Sequence, residues 1–230
     1  MKKIILLFLT AFCFFSFSPA TNFRTHYGED YENALLFLQT NKRVFKTASE
    51  NYGIEEKMLK AIVFPELLRY NMLQNLLETK ALEMIYVNGG SNEVDFSIGN
   101  FQMKPSFAEN LEMMAENNAL WLEDFQSLCS YGNISDEKSI RKERLKRLSS
   151  LEWQVKYLSL FFTVAASKLE KGLTKSQQLR LIATLYNAGL HRTKAELEKL
   201  MNRPSFPFGY SVDSKDQHVY SDISLFFYQQ

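Results

Sequence analysis

Trp153-Gln154-Val155-Lys156-Tyr157-Leu158-Ser159-Leu160-Phe161-Phe162-Thr163-Val164-Ala165-Ala166-Ser167-Lys168-Leu169 repeats its bulky side chains at helical spacing. Trp153, Val155, Leu158, Phe161, Phe162, Ala165 and Leu169 make one apolar band, which predicts a long helix that stops at Gly172. Working outward, Leu173–Ala188 predicts a second apolar helix with Gly189 as its C-cap. Upstream, a charged run over Glu137–Arg147 predicts a helix with a solvated face, with Ser135 as the candidate cap ahead of it. Helices are also predicted over Leu120–Cys129, Phe107–Asn118, Leu67–Val87, Ile54–Val63 and about Asp30–Tyr52. Pro65 disfavours helical geometry at Phe64 and removes one backbone donor, so a kink or an end is expected there. Asn88-Gly89-Gly90-Ser91-Asn92 is the clearest loop, and the tail after Pro204 is aromatic and turn-rich without periodicity. Nine glycines and five prolines are too few for a turn-rich all-β chain. One mainly α domain is therefore expected.

Met1-Lys2-Lys3, an apolar run from Ile4 to Phe17 and the close Ser18-Pro19-Ala20 have the make-up of a secretory signal peptide cut near Ala20. The apolar run is shorter than the roughly 20 residues of a membrane-spanning helix, so an exported, periplasmic protein with no integral membrane segment after cleavage is expected. Cys13 follows Phe12, where a lipoprotein acylation site needs a small residue. Loss of residues 1–20 takes Lys2 and Lys3 and leaves 25 basic against 26 acidic side chains, a balance that gives no bulk attraction to nucleic acid. Only Cys129 then remains, so packing rather than a disulfide must stabilise the fold. Cys129 reads as a small buried hydrophobe. His26, His191 and His218 lie far apart without metal-ligand spacing and read as surface or tail residues.

Three segments stand out together. They are Ala61-Ile62-Val63-Phe64-Pro65-Glu66 with Arg69-Tyr70-Asn71, Ser97-Ile98-Gly99-Asn100-Phe101-Gln102-Met103-Lys104-Pro105-Ser106, and Ala183-Thr184-Leu185-Tyr186-Asn187-Ala188-Gly189. In this order the chain, from about Tyr52 to Leu190, resembles the lytic transglycosylase and goose-type lysozyme superfamily. That family carries a helix ending on a catalytic Glu, a Gly-x-x-Gln-x-x-Pro segment and an Ala-Tyr-Asn-Ala-Gly segment that closes the cleft. Gly99, Gln102 and Pro105 keep the second spacing, and Tyr186-Asn187-Ala188-Gly189 keeps nearly all of the third. The stretch after Glu66 is one residue longer than the family's Glu-Ser-x-Phe-Asn and lacks the Ser, and Asn100-Phe101 replaces an aliphatic-Met pair.

The resemblance implies a lysozyme-like helical domain over 21–203 with a central substrate cleft, followed by a tail over 204–230. It implies peptidoglycan glycan strands as substrate, with Glu66 as acid/base and cleavage between N-acetylmuramic acid and N-acetylglucosamine. The residues agree with that chemistry. A glycosidic oxygen leaves only once protonated, so the acid must stay neutral near pH 7, and Glu66 sits among Ile62, Val63, Phe64, Leu67 and Leu68. Tyr186, if it packs nearby, offers a hydroxyl to hold the acid. Gly99 is expected to let the backbone approach a sugar, Gln102 to read an N-acetyl or hydroxyl group, and Met103 and Phe101 to form core or cleft floor. Asn187 is either a ligand or a helix cap. Asp95, four residues before Gly99, is either the second carboxylate of a hydrolase or a loop cap, with Glu93 a weaker candidate for the carboxylate role. No metal or organic cofactor is required. The alternatives to a transglycosylase are a hydrolase using Glu66 and Asp95, and a weakly active peptidoglycan-binding protein that works with cell-envelope assembly partners.

Overall fold

A computed structural model describes residues 21–70, 76–207 and 216–230, with the side chains of residues 69, 70 and 76–79 left out of the description. The expected signal peptide and Asn71 lie outside the described residues. Twelve helices carry the fold among those residues: α1 Phe23–Tyr27, α2 Glu29–Thr40, α3 Lys42–Tyr52, α4 Glu56–Tyr70, α5 Leu76–Gly89, α6 Pro105–Glu116, α7 Ala119–Cys129, α8 Glu137–Leu148, α9 Leu151–Ser167, α10 Lys175–Ala188, α11 Lys194–Leu200 and α12 Tyr220–Gln229. The chain is mainly α, as its periodicity predicts.

α4 is the axis. Every residue from Ala61 to Leu68 is buried, which a helix shows only when neighbours cover it all round. α2, α3, α9, α10 and α12 all pack on it. Of the kink or end expected at Pro65, the end does not occur, and that enclosure explains why α4 runs on to Tyr70. Proline breaks one ladder bond, but Phe64 is gripped by the Phe227 ring stacked at 4.3 Å and by Tyr31 at 4.8 Å. Packing outweighs the lost bond.

The other departures have equally local causes. The region expected as one helix over Asp30–Tyr52 is broken at Asn41, whose side-chain amide donates to the Phe37 carbonyl and ends α2. Asp136, not Ser135, caps α8, accepting from the Ser139 amide at 2.9 Å. The Glu137–Arg147 run is not simply a solvated face, since Arg144 and Arg147 are buried. Arg144 reaches Glu112 of α6, 2.7 Å from its carboxylate, while Tyr131 and Tyr157 donate to the same carboxylate at 2.8 and 2.5 Å. Burial alone would lower the Arg144 pKa, and the bonds and charge of Glu112 more than reverse that. A buried pair of this kind persists because its remaining polar atoms are also bonded.

The aromatic tail also acquires structure. An antiparallel bridge between Phe206 and His218 leads into α12, which lies on α4 and α10. His26, exposed, and His218, in the tail, are far apart in sequence but meet with their Nε2 atoms 2.9 Å apart. Cys129 is only partly buried, and burial pushes its thiol up to about 11.

Candidate active site

Three elements converge on one cleft. α4 brings Glu66, the turn between α5 and α6 brings Gln102 and Met103, and the last turn of α10 brings Tyr186 and Asn187, while Asn88 and Gly89, expected in a loop, close α5 instead. They enclose a cavity of about 450 Å³, and Asp95 lines it too. The volume falls in the ~300–1,000 Å³ range of ordinary ligand pockets. Glu66 is only 5 % exposed.

The turn is built tightly. Ile98 and Met103 exchange backbone bonds of 2.9 and 3.1 Å, closing a four-residue loop over Gly99-Asn100-Phe101-Gln102. Gln102 sits at φ 50°, a left-handed conformation that costs a non-glycine residue on the order of 1 kcal/mol. Its side-chain amide donates to the Gly99 carbonyl at 2.9 Å, which spends one N–H on the turn and leaves the other N–H and the amide oxygen as the groups a sugar could meet. Met103 is buried at the cleft floor and Phe101 lies wholly in the core behind it.

Gly99 faces away from the cleft and toward α9. A side chain on it would overlap the Gln154 amide nitrogen and come 2.8 Å from the Leu148 carbonyl. Gln154, itself 1 % exposed, donates to Ile98 and Leu148 carbonyls at 3.1 and 2.6 Å and accepts from the Phe101 amide at 3.4 Å. The glycine is thus needed for close approach to Gln154, not to a sugar as expected. Gln154 was not singled out from sequence, although a lone amide inside the apolar band of α9 was its signal.

Tyr186 also differs in detail. Its hydroxyl donates to the Phe101 carbonyl at 2.7 Å, stitching α10 to the turn, and its ring meets Phe107 and Phe161 edge-on. Burial, and then the nearby Glu66 charge, raise its pKa well above 10, so the phenol keeps its proton. The proton serves the backbone, and the phenol oxygen remains an acceptor beside Glu66. Gly189 ends α10 at φ 98°, with its amide on the Leu185 carbonyl, and His191, exposed as expected, also lines the cleft.

Asp95 accepts from the Ser106 amide at 3.1 Å and from the Ser106 hydroxyl at 2.7 Å, with Lys104 at 3.7 Å. The N-cap residue of α6, Lys104, has no side-chain acceptor, and Asp95 supplies one from the preceding loop. Glu93 is not among the residues lining the cavity. Among the described residues no group of three or more His, Cys, Asp or Glu could hold a metal ion. No family model matches the chain, and no curated protein or solved structure matches it either.

Proposed function

We propose that the protein cleaves the glycan strands of peptidoglycan as a lytic transglycosylase, with Glu66 as acid and then base. The observation that carries this reading is a buried carboxyl opening onto one cavity shared with Gln102, Met103, Tyr186 and Asn187. General-acid catalysis at a glycosidic oxygen requires a carboxyl that keeps its proton, and burial is the ordinary physical route to one. Glu66 donates its proton to the oxygen of the leaving N-acetylglucosamine while the muramic acetamido oxygen attacks C1. The Glu66 carboxylate then takes the proton of the muramic C6 hydroxyl, whose oxygen displaces the acetamido group and closes a 1,6-anhydro ring. No step calls for a metal or an organic cofactor. Export to the periplasm, where the polymer lies, belongs to the same reading.

Asp95 favours the transglycosylase over a lysozyme-like hydrolase. Both of its oxygens already serve Ser106, whereas a base for water needs a lone pair aimed at the water. Turbidity or dye release from purified cell walls tests the assignment. Glu66→Gln should lower the rate by ~100- to 10,000-fold with folding intact. Asp95→Asn, which keeps one oxygen for the Ser106 amide, should lower it by less than about tenfold. Equal loss in both variants would favour the hydrolase, full activity in Glu66→Gln would remove Glu66 as the acid, and absence of cleavage by the wild type would leave a wall-binding protein.

A further inference from the structure

Pro65 stands immediately before Glu66 in a helix that continues past both residues. It has no N–H to return to the Ala61 carbonyl, so the ladder is one bond short in the turn leading into Glu66. The neighbouring Ile62 carbonyl accepts a bond from outside the helix: the Tyr220 hydroxyl donates to it at 3.0 Å. Ile62 and Glu66 are one helical turn apart and therefore lie on the same face. Tyr220 is well anchored for this contact. It opens α12 directly after the Phe206–His218 bridge, is 2 % exposed, and meets the Phe206 ring edge-on at 5.4 Å.

We propose that Tyr220 is a positioning residue for Glu66. By holding the Ile62 carbonyl, next to the Ala61 carbonyl that Pro65 leaves without its ladder bond, it fixes the turn that sets the direction of the Glu66 side chain into the cleft. This rests on the proposed role of Glu66 as the acid. The C-terminal helix is then part of the catalytic apparatus although none of its residues lines the cavity. A displacement of about 1 Å in a catalytic group is enough for a ~100-fold loss of rate, so one hydrogen bond at this turn has leverage.

Tyr220→Phe removes the hydroxyl and keeps the ring. Its expected effects are a melting temperature lower by about 2–4 °C, kcat lower by about 10- to 100-fold and KM within about twofold. The midpoint of the Glu66 carboxyl titration, followed by ¹³C NMR and assigned with Glu66→Gln, should also move. Ile223→Val, a buried trim on the same helix, supplies a comparable loss of melting temperature and should leave kcat and the midpoint unchanged. In a Pro65→Ala background, where the ladder bond returns, adding Tyr220→Phe should lower kcat by less than about threefold and leave the midpoint in place. Behaviour of Tyr220→Phe matching that of Ile223→Val would overturn the proposal, as would an undiminished effect in the Pro65→Ala background. If the single variant does not fold, the Pro65→Ala pair carries the comparison. Should the wild type cleave no glycan, the proposed function fails, while the titration still decides whether Tyr220 holds the carboxyl.

Discussion

Gly99 shows how one residue serves a site it does not touch. Its left-handed backbone and lack of a side chain let Gln154 press against the turn, and Gln154 in turn fixes the Ile98 and Phe101 backbone. Gly99→Ala is therefore expected to destabilise by about 2–4 kcal/mol, from overpacking plus the left-handed conformation, read as a lower urea midpoint at unchanged slope. Of the motif residues, Glu66, Gln102, Met103, Tyr186 and Asn187 were legible because an acid, an amide and an orienting aromatic have recognisable order and spacing. What the sequence hid was direction. A Gly-x-x-Gln pattern looks the same whether the glycine faces a sugar or a buried amide, and the partner that decides lies 55 positions away in Gln154.

Among the elements, α4 and α8 show where periodicity misleads. α4 reads as two segments because Pro65 obeys local rules, whereas Phe64, Phe227 and Tyr31 hold it as one. α8 reads as a solvated run because acids and bases alternate along it, while the acid that captures Arg144 belongs to α6. α12 was invisible for a related reason: its burial comes from α4 and α10, not from a clean stripe of its own. Arg144→Met tests the α6–α8 junction. Removing the cation strands Glu112 in the interior, with an expected loss of about 3–5 kcal/mol in chemical unfolding. Replacing Glu112 with Gln and Arg144 with Met together should be much less harmful than the two losses added, because no uncompensated charge remains.

Across the whole molecule, several phenols share the polar interior with carboxylates, guanidinium groups and hydroxyls. Burial raises the pKa of Tyr86, Tyr131, Tyr157 and Tyr186 above the ordinary value of 10.0, and pushes Tyr31 up to about 12. The folded state thus holds protons that the unfolded chain releases from about pH 10 upward. This contribution to stability is fully present below pH 10 and is lost as pH rises through the folded-state values. Urea midpoints at pH 8, 9 and 11 should be similar at the first two and fall sharply at the third, with more than one proton linked to unfolding. The same enclosed interior surrounds Glu66, and the account depends most on what that carboxyl does. The most direct measurement is mass analysis of the products released from purified peptidoglycan. The account predicts muramyl ends one water lighter than reducing ends, formed by the wild type and absent with Glu66→Gln. Reducing muramyl ends from the wild type, or anhydro ends made equally well by Glu66→Gln, would contradict it.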